Sequence, residues 1–82
     1  MPYITKDQKI ELSIHRMPEN AGELNYIFTR YAVHYLDKKG MKYQHFNDII
    51  GALEGCKMEL YRRLVADYED QKCEDNGDVY QI

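Results

Sequence analysis

The stretch NAGELNYIFTRYAVHYLDKKG, residues 20–40, holds a start signal, a period and a stop signal for one helix. Asn20 is a residue type that caps a helix by accepting a hydrogen bond from a free backbone N–H, and Glu23 follows at the position that completes a capping box. The Glu23 carboxylate also suits the positive end of the helix dipole, while Lys38 and Lys39 suit the negative end. Gly40 can take the left-handed conformation that ends a helix. At about 100° per residue, Leu24, Ile27, Phe28, Tyr31 and Tyr35 fall in one stripe, the expected core face. Tyr26, Thr29, Arg30 and Val33 face the other way. The spacing predicts a helix over residues 21–39.

Working outward, a loop over residues 41–44 leads to a proline-free periodic segment, residues 45–71. Phe46, Ile49, Ile50, Leu53, Cys56, Leu60, Tyr61, Leu64 and Tyr68 make its apolar stripe. So short a connection makes the second and third helices antiparallel neighbours. Beyond Lys72 the chain turns acidic. Residues 75–78 read as a turn, and Tyr80 gives the tail, residues 73–82, an apolar group with which to dock. On the N-terminal side, residues 1–4 form an extended arm, because Pro2 restricts the backbone and Tyr3 and Ile4 favour extension. Thr5 with Gln8 forms another capping-box pattern. Ile10, Ile14 and Met17 then recur at helical spacing until Pro18, Glu19 and Asn20 end the run. The expected fold is all-α: one domain over residues 1–82, with a short N-terminal helix and a long antiparallel helical hairpin.

Eighty-two residues can build one core at most, and a chain this size buries only about 60–65% of its unfolded surface. Small helical proteins often offset that shortfall by associating, so a helical homo-oligomer, dimer or tetramer, is expected. The net charge of −3, with both signs interspersed among 30% charged residues, argues against a protein that coats duplex DNA by neutralising phosphates. No run of apolar residues has transmembrane length, and no signal peptide pattern opens the chain, so no membrane partner and a cytoplasmic location are expected. Cys56 and Cys73 lack zinc-ligand or disulfide-framework spacing, which leaves reduced thiols and no metal or other cofactor as the expectation.

Several groups admit both a structural and a functional reading. Lys57 falls near the centre of the third helix's apolar stripe, where a bare ammonium is costly to bury. Either Glu54, three residues earlier, pairs with it, or it contacts an anionic ligand. Gly51 and Gly55 form a G-x-x-x-G pair, although each glycine costs about 0.8–1 kcal/mol in a helix relative to alanine. Small residues four apart let another backbone approach, either a partner subunit or the chain's own first helix. On the second helix, Tyr26 and Arg30 stand at i, i+4 with Asn25 and Thr29 beside them. An aromatic plane, a guanidinium and two hydrogen-bonding side chains are what a nucleobase and a phosphate require, though a solvated helix face supplies such residues routinely. Tyr61, Arg62 and Arg63 add an aromatic group and paired positive charge on the third helix. Eight tyrosines against two phenylalanines suit half-buried interfaces and ligand walls, since each buried hydroxyl needs a partner. For Tyr31 and Tyr35 a core-edge role is the simpler reading. Catalytic motifs are missing: there is no nucleophile elbow, phosphate-cradling loop or HExxH, and His15, His34 and His45 sit on three different segments. The acidic residues from Asp67 to Asp78 do not follow an EF-hand order. A non-enzyme is expected.

Taken together, residues 2–5 (PYIT), Gly22 to Tyr26 with Thr29 and Arg30, Ile50-Gly51, then Glu54, Lys57, Glu59 and Tyr61-Arg62-Arg63, and finally Tyr68 to Asp70 and Asn76 to Tyr80 resemble one family. It is a family of small helical proteins from phages, prophages and some archaea, long described only as a domain of unknown function. The resemblance spans nearly the whole chain. It departs in the first helix, shorter and less regular here, and at Asp67, where proline is expected. The resemblance implies the anti-CBASS sponges, which hold cyclic dinucleotide defence signals, such as cyclic GMP-AMP, within a small oligomer in the host cytoplasm. Capture of that kind needs no chemistry, because it lowers free signal by mass action. The residues themselves nominate Tyr26 for stacking, Arg30 with Arg62 and Arg63 for phosphates, and Asn25 or Thr29 for base or ribose edges. Lys57 and Tyr61 are further candidates for ligand contact, and Gly51 and Gly55 for the oligomer interface. The competing expectation is an oligomeric helical adaptor that inhibits a host protein directly through its glycine flank and acidic tail.

Overall fold

The computed structural model describes residues 3–14 and 16–80. The readings placed on Met1, Pro2, His15, Gln81 and Ile82 therefore lie outside the described residues. The chain is all-helical: α1 Lys6–Ser13, α2 Ala21–Lys39, α3 Tyr43–Leu60, a π turn Tyr61–Val65, and α4 Ala66–Asn76. It groups into two compact units, Met1–Phe46 and Asn47–Ile82. No helix among the described residues is long and apolar enough to cross a membrane.

In the first unit, α1 opens on the expected capping box. The Gln8 N–H donates to Thr5 Oγ1 at 3.1 Å, and the Thr5 N–H donates to Gln8 Oε1 at 2.8 Å. The helix ends earlier than the apolar spacing predicts. Ile14 and Arg16 both donate to the Glu11 carbonyl at 3.3 Å, which closes the last turn, so Ile10, Ile14 and Met17 do not form a buried row and remain exposed. Leu12, absent from that row, is buried instead.

The early end of α1 frees Arg16 to reach the start of α2. Glu23 is only 3% exposed, and its carboxylate is the convergence point of the unit. Its Oε1 pairs with Arg16 Nη1 at 2.9 Å and accepts from the Glu19 N–H at 3.1 Å, and its Oε2 accepts from Gln8 Nε2 at 2.7 Å. A buried carboxylate persists only with partners of this kind. Asn20 caps α2 as expected, its side chain accepting from the Glu23 N–H at 2.9 Å. Glu23, however, does not complete the capping box, because its side chain bonds one residue further back, at Glu19. The Arg16 guanidinium also lies 2.6 Å from Glu19 and 2.8 Å, through Nε, from Glu11; the Glu11 contact has ion-pair distance without hydrogen-bond alignment.

Because Gln8, Lys9 and Leu12 meet α2 on the side of Glu23, Tyr26 and Ile27, the covered face is offset from the predicted stripe. Leu24, Phe28 and Tyr31, expected in the core, are exposed, whereas Ile27 and Tyr35 are half-buried. Tyr26, expected to face solvent, is half-buried, with Lys9 Nζ 5.8 Å from its ring centre. Gly40 ends α2 at φ +103° and donates its N–H to the Leu36 carbonyl at 2.7 Å. Its ψ of 156° is extended, so the stop uses positive φ without the left-handed helical conformation. The third helix then starts two residues before residue 45, because the Lys42 carbonyl takes the N–H groups of His45 and Phe46. His45 Nδ1 lies 2.8 Å from the Gly40 carbonyl and its ring meets Tyr35 edge-on, which ties this start to the end of α2.

In the second unit the chain is one continuous helical run as far as Asn76. At the π turn the Ala66 N–H donates to the Tyr61 carbonyl, five residues back, so one extra residue is accommodated. Leu64 and Tyr68 are thereby rotated relative to the stripe that begins at Phe46, and a constant 100° step does not hold beyond Leu60. The helix also outlasts its predicted end at residue 71. Residues 73–76 of the expected tail are helical, and Gly77 closes the run at φ +87° with its N–H on the Cys73 carbonyl. Tyr80, the expected docking residue of the tail, is exposed.

The partners of Glu23, Arg16 foremost, hold its carboxyl down at about 2 against burial, which raises it. A group depressed in the folded state stabilises fully above its ordinary value of 4.5, and that contribution disappears as pH falls from there toward about 2. Glu23→Gln should lower the thermal midpoint at pH 7 and flatten its decline across this acid window, followed by circular dichroism. An unchanged midpoint and acid profile would show that the buried carboxylate does not hold α1 on α2.

Candidate ligand-binding site on the second helix

The residues nominated from sequence fall into two groups, one in each unit. In the first unit, Arg30 lies between two grooves on α2. One, of about 290 Å³, is bounded by Leu12 and Ser13 of α1 and by Ile27, Arg30, Tyr31 and His34. The other, of about 340 Å³, is bounded by Tyr26, Thr29, Arg30, Val33, His34 and Asp37. Arg30 and His34, one turn apart, are common to both. The helix itself dictates this, since residues at i and i+4 stack on one face.

Tyr26, Thr29 and Arg30 are thus brought together, as their spacing predicts. Asn25 does not line either groove: its carbonyl and Oδ1 accept from Thr29 Oγ1 at 2.8 and 3.2 Å. That bond also occupies the proton of the Thr29 hydroxyl, leaving it only acceptor capacity for a ligand. His34, Asp37, Tyr31 and Lys9 belong to the same surface but were not nominated. His34 and Asp37 could have been found by extending the i, i+4 and i, i+7 rows from Arg30. Lys9 could not, because its place over the Tyr26 ring depends on how α1 lies on α2.

In the second unit the cations are already paired. Lys57 Nζ lies 3.5 Å from Glu54 Oε1 and the side chain is 74% exposed, which is the intrahelical pair its spacing allows. Arg62 reaches Glu59 Oε1 at 3.3 Å, and Arg63 Nε donates to the same oxygen. Exposed pairs of this kind are weak, roughly 0.3–0.5 kcal/mol for i, i+4 pairs, but Glu54 and Glu59 offset two of the three positive charges a phosphate would meet. Tyr61 donates its hydroxyl to Glu69 Oε2 at 2.9 Å, eight residues along. In a plain α-helix those positions sit about 80° apart; the surplus residue of the π turn brings them onto one face. A shallow groove of about 520 Å³ runs beside Lys57, Met58, Tyr61 and Arg62. By contrast, no carboxylate among the described residues lies within ion-pair distance of Arg30.

A Cβ built on Gly51 or Gly55 would meet no atom within 4 Å. No three His, Cys, Asp or Glu side chains converge as a metal-binding group among the described residues.

Glu69 pushes the Tyr61 phenol up from its ordinary value, by hydrogen bond first and by charge second. Tyr61 should therefore ionise above the ordinary tyrosine value of 10.0 in a tyrosine-ring NMR titration, and Glu69→Gln should bring it back toward that value. Indifference of every tyrosine to Glu69→Gln would remove the contact that spans the π turn.

No curated protein and no solved structure matches the chain. A family model does match, over residues 1–79, nearly the full length. The chain belongs to the domain of unknown function family DUF6899.

Proposed function

We propose that this protein is a non-enzymatic binder that sequesters a cyclic dinucleotide defence signal, such as cyclic GMP-AMP, in a phage-type evasion of host immunity. The observation that carries the reading is Arg30: a guanidinium with no carboxylate partner among the described residues, beside an aromatic ring, set between two grooves of nucleobase scale. Planar guanidinium groups match phosphate oxygens in pairs, and aromatic rings stack bases without strong sequence preference. The resemblance of the motif set to the family of small phage proteins, which implies the cyclic-nucleotide sponges, supports the same ligand class. Tyr26, Arg30 and Thr29 take the principal contacts. Lys57, Tyr61, Arg62 and Arg63 take an auxiliary role, since each must first give up an acidic partner.

The reading includes an antiparallel pairing of the second and third helices and assembly of copies into a dimer or tetramer. The short connection over residues 40–42 supports the first. For the second, the support is the open flank at Gly51 and Gly55 together with exposed Ile50, Leu53 and Leu60. The same open flank favours the second reading, an oligomeric adaptor that binds a host protein directly.

Titration calorimetry of the purified protein against a panel of cyclic di- and trinucleotides should show micromolar or tighter binding to at least one dinucleotide. Arg30→Ala should weaken it tenfold or more with little change in thermal midpoint. No heat with any member refutes the nucleotide reading, and a stoichiometric host protein recovered with nucleotide pools unchanged supports the adaptor. Light scattering after size exclusion should give a dimer or tetramer, and Gly55→Leu should lower that mass. A monomer at tens of micromolar refutes the assembly.

A further inference from the structure

The two grooves on α2 differ in aromatic wall but share a cationic divider. Tyr26 stands in one and Tyr31 in the other, while Arg30 and His34 border both. Tyr31 is 74% exposed, so its ring is not consumed by the core to which its periodicity assigns it. Each groove, at about 290 and 340 Å³, sits at the small end of ligand clefts, which span roughly 300–1,000 Å³. Either alone suits one base, and the pair suits two.

The divider presents hydrogen-bond donors: the Arg30 guanidinium offers five N–H groups, and the His34 ring offers at least one in any protonation state. The outer walls differ. Asp37 lines the Tyr26 groove and can accept from the ring N–H and amino group of a guanine edge, while the other groove offers the Ser13 hydroxyl oxygen, its proton already given to the Ile10 carbonyl, beside apolar Leu12 and Ile27. Lys9, 5.8 Å from the centre of the Tyr26 ring, holds a further positive charge at that groove.

Resting on the nucleotide reading above, we propose that Tyr31 and His34 are ligand-binding residues, and that one protomer takes a two-base ligand astride α2. Its phosphates lie on the Arg30–His34 divider, with one base against Tyr26 and the other against Tyr31. Two bases flanking a phosphodiester are recognised as a unit, and a mononucleotide can fill only half of the surface.

The test compares cyclic GMP-AMP with 3′,5′-cyclic AMP, by calorimetry on the full chain and on Tyr26→Ala, Tyr31→Ala, Tyr31→Phe and His34→Ala variants, each checked for helicity. Each tyrosine-to-alanine change should weaken cyclic GMP-AMP by tenfold to a hundredfold, Tyr31→Phe should retain wild-type affinity, and His34→Ala should weaken it severalfold. Wild-type protein should bind cyclic AMP at least a hundredfold more weakly than cyclic GMP-AMP. If Tyr31→Ala leaves cyclic GMP-AMP binding intact while Tyr26→Ala and Arg30→Ala weaken it, the two-groove arrangement is overturned and the sequestration reading stands. Equal affinity of the wild type for the two ligands, which needs no variant to fold, overturns it as well. Absence of binding to both ligands and to every other cyclic dinucleotide of the panel overturns both.

Discussion

The first unit depends on how the carboxylate of Glu23 is satisfied. Burying an ionised carboxylate is unfavourable unless its lone pairs are filled. Here they are filled from three places in the chain: the Gln8 amide on α1, the Glu19 backbone N–H before α2, and the Arg16 guanidinium in the connection. Gln8 serves twice, since its oxygen closes the cap on Thr5 while its nitrogen reaches Glu23. The cap of one helix and the anchor of the next are thus a single hydrogen-bonded chain. Apolar burial contributes little beside it, with Leu12 as the buried apolar side chain among the described residues.

That polar anchor decides what α2 can offer to a ligand. By holding α1 over the side of Glu23, Tyr26 and Ile27, it brings Lys9 to the Tyr26 ring and lets Leu12 and Ser13 wall one of the two grooves. The side that carries Leu24, Phe28 and Tyr31 stays exposed in consequence. Charge placement follows the same division. Arg16 is committed to three carboxylates, while Arg30, on the same unit, has no carboxylate within ion-pair distance among the described residues.

What could be read from the residues was local. Asn20 as a cap, the Thr5–Gln8 box, Gly40 as a stop and the Lys57–Glu54 pair each concern groups within four residues of one another, where helical geometry leaves few alternatives. The Tyr26–Arg30 row was legible for the same reason. Contacts that join different segments were not. Nothing in the pattern singles out Arg16 over other cations as the partner of Glu23, and a lone Leu12 has no periodic company to mark it as buried. The core face of α2 was misplaced because periodicity finds the most apolar side of a helix, whereas here a carboxylate selects the side that is covered. The π turn escaped as well: no proline or glycine marks residues 61–65, and a constant angular step carries a reader straight through it.

A helix that holds a surplus residue is a helix that can lose one. Excision of a single position between Tyr61 and Val65 would restore ordinary hydrogen bonding throughout the long run. Everything downstream would then keep nearly the face it has now, because the π turn already absorbs the step of about 100° that the surplus residue would add. The acidic side chains of α4 would present the same flank, at no cost to backbone pairing. The π turn therefore buffers chain length at this one spot, leaving the C-terminal third of the protein in phase with what precedes it.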